Sequence, residues 1–332
     1  MPIRPTTLLA VLGAALALPQ AALATERMNV MLNWTPTADH APLYYAKAQG
    51  WYADVGIDLN IEAGKGSAAS AQRIGSGGAQ VGIADLPTAM QARSKGADLK
   101  AVMVIYANSP QGFYWNKSAG IQSPKDFAGR KIGNPPGDAA RLMWPAFAKK
   151  VGIDPASVTF VNLSPQAKVA ALKSKSVDII SDFYNEHDMK VRDFGDDLGF
   201  VAWRSVGVNV YGNSLVANGA YLASKPEMVR KFTAITQRAY AACVKDFEPC
   251  LKAITSAASG LSPDNQRDQW GRIKQLMRDD TTTKVALGAF SAERVKADYE
   301  LVQSLIGLDK PLDPATLFTN EYLDTTVRMP AE

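Results

Sequence analysis

An amide, an indole, a carboxylate and an imidazole are crowded into Leu32-Asn33-Trp34-Thr35-Pro36-Thr37-Ala38-Asp39-His40. Such a set suits recognition of a flat molecule: Trp34 can stack on a ring, while Asn33 and His40 can donate to or accept from its edge. The alternative is that Trp34 is core and His40 caps the helix that follows. Phe183-Tyr184-Asn185-Glu186-His187 repeats the combination further along, with Tyr184 as the stacking face and Asn185 and His187 as edge readers, or else as a surface loop with an incidental aromatic pair. Gly64-Lys65-Gly66-Ser67 opens a helix, so its amides could hold an anion, or Ser67 is an ordinary cap. Gly133-Asn134-Pro135-Pro136-Gly137-Asp138 has the same form, but a negative Asp138 at the helix start disfavours an anion there. Asp85 and Asn108 complete a candidate ligand set of Asn33, Trp34, His40, Ser67, Asp85, Asn108, Asp138, Tyr184, Asn185 and His187.

No catalytic pattern accompanies these residues. There is no Gly-x-Ser-x-Gly elbow and no His-Glu-x-x-His, and neither cysteine has a histidine nearby in sequence. With two histidines, His40 and His187, and no paired ligand spacing, a metal site is not expected either.

Short β-rich runs at residues 30–32, 57–61, 81–83 and 101–106 alternate with helical patterns at 41–49, 67–74 and 87–95, which reads as βαβ units on a mainly parallel sheet. A second α/β block follows, with a strand ending at Ile132-Gly133, strands at 158–161 and 177–180, a helix opening near Asp138 and another at 166–172. After a last strand at 214–217 the chain turns helical. Ser224-Lys225-Pro226-Glu227 has the capping-box form, and Ser262-Pro263-Asp264 and Ser291-Ala292-Glu293 open two further helices. The fold class expected is α/β, two-lobed, with mainly parallel sheets flanked by helices and a two-strand hinge. Lobe 1 is discontinuous, residues 25–110 and 212–332, and lobe 2 is 111–211. The chain crosses near Asn108-Ser109-Pro110 and returns near Tyr211-Gly212-Asn213. The two groups of candidate residues lie beyond the carboxyl ends of strands in different lobes, where ligands of open α/β sheets bind.

Arg4, an apolar run at 8–18 and the small-x-small pattern Ala22-Leu23-Ala24 have the layout of a secretory signal peptide cleaved after Ala24. Periplasmic localisation is therefore expected. The formal charge of +4 comes from Lys and Arg spread along the chain, which argues against a nucleic-acid partner. Cys243 and Cys250 could form a disulfide if Pro249 breaks the helix between them, since on one continuous helix they would stand about 10 Å apart. Two separate buried thiols are the alternative.

Asn33-Trp34-Thr35-Pro36 with His40, followed by Tyr44-Tyr45-Ala46-Lys47 and Gly50-Trp51-Tyr52, resembles the opening of the thiamine-pyrimidine synthase-like group. That group contains binding proteins of bacterial ABC importers for thiamine-precursor pyrimidines and fungal enzymes that make the pyrimidine. Ser123-Pro124-Lys125-Asp126-Phe127-Ala128-Gly129-Arg130-Lys131-Ile132-Gly133 resembles a segment shared with sulfonate- and nitrate-binding proteins. The resemblance covers roughly residues 28–245 and implies a type II periplasmic-binding fold with Asn33, Trp34 and His40 at the ligand. The fungal enzymes' cysteine-rich motif has no counterpart before Cys243, so an enzyme is not expected. The pyrimidine binders carry a glutamate where alignment places His187, with Glu186 one position earlier.

The function expected from residues and resemblance together is that of a periplasmic solute-binding protein of an ABC importer, taking a small planar nitrogen heterocycle such as a thiamine-precursor pyrimidine. A small organic anion is the alternative ligand, and a pyrimidine-synthesis enzyme the remote one. The expected partners are the small molecule and an ABC permease in the inner membrane. The chain is expected to act as a monomer, without a cofactor.

Overall fold

The computed structural model describes Met1 and residues 25–330. The expected signal peptide, Met1 apart, lies outside the described residues. Twenty-two strands and α-helices follow one another in the described chain. The first stretch is β1 (Glu26–Met31), α1 (Ala41–Ala48), β2 (Ile57–Glu62), α2 (Ser67–Gly75), β3 (Val81–Asp85), α3 (Leu86–Ser94) and β4 (Leu99–Val104). Next come β5 (Gln111–Asn116), β6 (Lys131–Asn134), α4 (Ala139–Val151), β7 (Thr159–Asn162), α5 (Lys168–Lys173), β8 (Ile179–Phe183), α6 (His187–Phe194) and β9 (Leu198–Ala202). The chain ends with β10 (Asn213–Asn218) and the helices α7 (Gly219–Ser224), α8 (Pro226–Lys245), α9 (Glu248–Ala257), α10 (Pro263–Leu276), α11 (Asp280–Lys284) and α12 (Ala292–Leu305).

The strands form two five-stranded sheets with the same plan, β2-β1-β3-β10-β4 and β7-β6-β8-β5-β9. In the first, β1 pairs in parallel with β2 and β3, and β10 runs antiparallel to β3 and β4. In the second, β6 pairs in parallel with β7 and β8, and β5 runs antiparallel to β8 and β9. Four strands of each sheet thus run one way. The inverted strand in each is the one the chain forms just after crossing from the other sheet. Every residue of β3 and β10 is buried, as expected for central strands covered by helices on both faces.

The helical return is amphipathic. α8 buries Val229, Phe232, Thr236, Tyr240 and Cys243, spaced three or four apart, against the core of the first sheet. α12 instead packs with α4 and α3, placing Val295 and Val302 in one apolar cluster with Phe113, Phe147 and Met90. The last helix therefore straddles both halves. Ser262 and Ser291 cap α10 and α12 as expected. Ser224 does not cap α8: Pro226 at the first helical position makes Lys225 the cap residue, and the Ser224 hydroxyl donates back to Ala220 O within α7.

Cys243 and Cys250 are disulfide-bonded, with Cα atoms 5.9 Å apart. The break between α8 and α9 falls at Asp246-Phe247. Pro249 is not in the break but in the first turn of α9, where its missing N–H leaves no bond unmade.

Candidate functional site

A cavity lies between the two sheets, walled by loops at the carboxyl ends of β1, β2, β6, β7 and β8. From the first half it is lined by Asn33, Trp34, Thr37, Asp39, Gly66 and Ser67. The second half contributes Gln111, Asp138, Ala139, Lys168, Asp182, Phe183, Asn185 and Glu186.

The β1–α1 loop is fixed by a hydrogen-bond chain. The Thr37 N–H donates to His40 Nδ1 at 3.1 Å, so Nε2 carries the proton and donates to Asn33 Oδ1 at 3.0 Å. Asn33 Nδ2 donates to Asn213 Oδ1 at 3.0 Å, and Asn213 Nδ2 donates to Asp39 Oδ2 at 3.1 Å. His40 is fully buried, and that burial holds its imidazole below the ordinary range although Asp39 opposes the shift. It is a neutral support that orients Asn33, and it does not line the cavity.

The glycine loop leans on the same segment. Gly64 and Gly66 donate their N–H groups to Trp34 O and Asn33 O, at 3.0 and 2.7 Å. A Cβ on Gly64 would stand 1.9 Å from Leu32 O, so only glycine fits. The Ala68 N–H donates across the cleft to Gly137 O at 3.3 Å. These three amides are thus committed to protein carbonyls rather than turned towards an anion. The Ser67 hydroxyl accepts from the Asp85 N–H at 3.1 Å while lining the cavity.

Across the cleft a buried ionic network forms the second wall. Asp182 accepts from Lys168 Nζ at 3.0 Å and pairs with Lys190 Nζ at 2.8 Å, and Lys190 also pairs with Glu186 at 2.9 Å. Burial pushes the Asp182 carboxyl up, but the two ammoniums outweigh it and hold the group below the usual carboxylate range. Burial raises Glu186, with Asp182 adding to the effect and Lys190 opposing it. Asp138 caps α4 by accepting from the Ala140 N–H and also accepts from Ser181 Oγ; burial raises its carboxyl against the pull of Lys168. The Lys168 ammonium stands 4.7 Å from the centre of the Trp34 ring, a cation–π contact between the walls. Asn185 donates to Gln269 at 3.3 Å, and its Oδ1 is buried without a partner among the described residues.

Five of the ten residues expected at the ligand line the cavity: Asn33, Trp34, Ser67, Asp138 and Asn185. The other five do not. Asp85 is buried behind Gln111, whose Nε2 donates to Asp85 Oδ2 at 3.1 Å; burial first, then Asp138 and Asp39, push its carboxyl up to about 7 against that hydrogen bond. Asn108 sits at the first chain crossing, donating to Arg278 O and accepting from Asn209. The sandwich of Trp34 and Tyr184 does not form. Tyr184 is held between the guanidiniums of Arg204 and Arg272 and packs on Phe200. His187 packs against Phe200 and Tyr184. The reason is local: Tyr184–Glu186 forms a 3-10 turn, which presents Asn185 and Glu186 to the cavity and turns Tyr184 and His187 away. Glu186, not His187, is the carboxylate-bearing position on the cavity wall.

Lys168, Asp182 and Gln111 were not among the residues expected at the site. Lys168 lies in a helix with no local acidic partner, and its pairing with Asp182 exists only once α5 packs on β8.

Two α/β lobes around a cavity at their strand ends define the two-lobed solute-binding fold. A family profile described as NMT1/THI5 like matches residues 37–248, and the chain belongs to that family. It is 26% identical over 330 residues, 96% of this chain and 92% of the other, to the riboflavin-binding protein RibY of Chloroflexus aurantiacus. It is 22% identical over 232 residues, 70% of each chain, to the formylaminopyrimidine-binding protein of Halalkalibacterium halodurans. In fold it is similar to the alkanesulfonate-binding protein SsuA of Xanthomonas axonopodis pv. citri, with a TM-score of 0.68, 16% identity, and 90% and 97% of the two chains covered.

Proposed function

We propose that the protein is the periplasmic solute-binding component of an ABC importer, which captures a small planar nitrogen heterocycle between its lobes and delivers it to an inner-membrane permease. A thiamine-precursor pyrimidine is the type of ligand meant. The observation that carries this reading is the charge and shape of the cavity. Asp39, Asp138, Asp182 and Glu186 line it, while the lysine among the lining residues, Lys168, is already paired with Asp182. Such a wall favours a neutral or weakly basic ligand rich in N–H donors and opposes an anion. Trp34 supplies the flat apolar surface, and the unpartnered Asn185 Oδ1 offers an acceptor to the ring edge.

The family relatives support the same class, since riboflavin and a formylaminopyrimidine are both nitrogen heterocycles. Binding without chemistry is supported by the placement of His40, which is sealed behind Asn33 and cannot reach a bound molecule as a base. No helix among the described residues is long and apolar enough to cross a membrane, consistent with export and release. Mass spectrometry of the small molecules released on denaturing periplasmic protein tests the reading. A nitrogen heterocycle in stoichiometric amount is expected; recovery of an alkanesulfonate or another organic anion instead contradicts it.

A further inference from the structure

Gln111 opens β5 at the first chain crossing and lines the ligand cavity. Its Nε2 donates at 3.1 Å to Oδ2 of Asp85, the last residue of β3, so this bond joins the two halves. The two ends of an amide nearly match in shape and differ in chemistry, so its bonding partner decides which way round it sits. Here the partner is a carboxylate. An ionised carboxylate accepts and never donates, so the amide nitrogen faces Asp85 and Oε1 is turned away from it. Gln111 Oε1 accepts no hydrogen bond among the described residues.

The surroundings of Asp85 make its charge conditional. Its Oδ1 is buried without a partner among the described residues. The charged groups acting on it are both negative, Asp138 at the start of α4 and Asp39 in the β1–α1 loop, and the nearby Tyr106 hydroxyl is buried. Burial first, then these two carboxylates, raise the Asp85 carboxyl to about 7 against the bond from Gln111. Once protonated it has a hydroxyl to donate, and the Gln111 amide is free to sit either way round.

We propose that Gln111 is a specificity-determining residue of the ligand cleft and that Asp85 positions it, holding Oε1 towards the ligand as an acceptor for an N–H. A ligand presenting a carbonyl at that point meets oxygen against oxygen. The assignment rests on the heterocycle reading and adds to it a choice of donor over acceptor at one edge of the ring.

The test is calorimetry at pH 5 and pH 8 with an aminopyrimidine and the pyrimidinone that carries a carbonyl in place of its amino group. It is run on the wild type, Gln111→Met and Asp85→Asn, with thermal melts to confirm that the variants fold. Preference for the amino compound is counted relative to Gln111→Met at the same pH, which cancels the titration of the probes themselves. The wild type is expected to show a preference of at least about tenfold at pH 8 and within about threefold at pH 5. Asp85→Asn, in which either amide end can face the other, is expected to stay within about threefold at both. A crystal structure of the wild type with the aminopyrimidine should place its amino nitrogen within hydrogen-bond distance of Gln111. A wild-type preference within about threefold at pH 8, a preference kept at pH 5 or in Asp85→Asn, or a bound ring out of reach of Gln111 overturns the assignment and leaves the heterocycle reading standing. Failure of both compounds to bind the wild type overturns both.

Discussion

Lys190 is 1% exposed and stands between two carboxylates, Asp182 and Glu186, of which both line the ligand cavity. Removing one partner of such a buried cluster leaves uncompensated charge, which costs far more than the cluster itself contributes. Lys190→Met should therefore destabilise the protein by about 3–5 kcal/mol in urea unfolding. A loss below about 1 kcal/mol would show that the carboxylates are not held as charges by this lysine. Asp298 carries a different residue-scale expectation. Burial pushes its carboxyl up to about 7, against the opposing effects of the Tyr211 N–H, which donates to it at 2.8 Å, and of Arg294. A carboxyl raised on folding contributes stability that is complete below the ordinary carboxylate range and is lost as pH climbs through 7. Asp298→Asn keeps an acceptor for Tyr211 and removes the titration. Between pH 5 and pH 8 its Tm should fall by about 2 °C less than that of the wild type; parallel curves would contradict the raised carboxyl.

At the scale of elements, two glycine loops meet across the cleft. Gly66 has φ of +130°, and a Cβ there would lie 2.2 Å from Gly137 O. A Cβ on Gly137 would meet nothing nearer than 3.6 Å. Gly66→Ala should hold the lobes apart and Gly137→Ala should not. In small-angle scattering with a saturating aminopyrimidine, the wild type and Gly137→Ala are expected to compact, and Gly66→Ala to keep the radius of the unliganded protein. Normal compaction of Gly66→Ala would show that this contact does not form on closure. The elements carrying these loops were legible in the sequence because βα alternation and glycine-rich strand ends are local signals. β5 and β9 were not. Every residue of β5 is buried, so it shows no alternation, and Pro110 and Gly112 make its start look like a turn. In β9, Gly199 makes room for the Trp115 indole, which would stand 2.1 Å from a Cβ, rather than marking a turn. The site divides in the same way. Asn33, Trp34 and Asp138 follow strands directly and could be read from position. Tyr184 and His187 misled because a 3-10 turn decides which side of the chain faces the cleft, and Lys168 was hidden because its partner is brought to it only by packing.

For the whole molecule, the two sheets share one plan, and the chain crosses between them twice, at residues 105–110 and 203–212. The halves touch through Gln111 with Asp85, Asn185 with Gln269, and the bidentate pair of Arg272 with Asp188 at 2.6 and 2.5 Å. We read this as a closed arrangement about a hinge at the crossings, in which bound ligand fills the space between Trp34 and the Asp182–Glu186 wall. α12 packs on both halves behind the crossings. What the cleft accepts then follows from its charge: carboxylates on both walls, a lysine already paired, and the Gly64, Gly66 and Ala68 amides already bonded to protein carbonyls. Calorimetry on the wild type and Trp34→Ala, against an aminopyrimidine panel and an alkanesulfonate panel, tests this most directly. Micromolar or tighter binding of an aminopyrimidine, weakened about tenfold or more in Trp34→Ala by loss of stacking and burial, is expected, with no measurable sulfonate binding. Tight sulfonate binding that survives Trp34→Ala would contradict it.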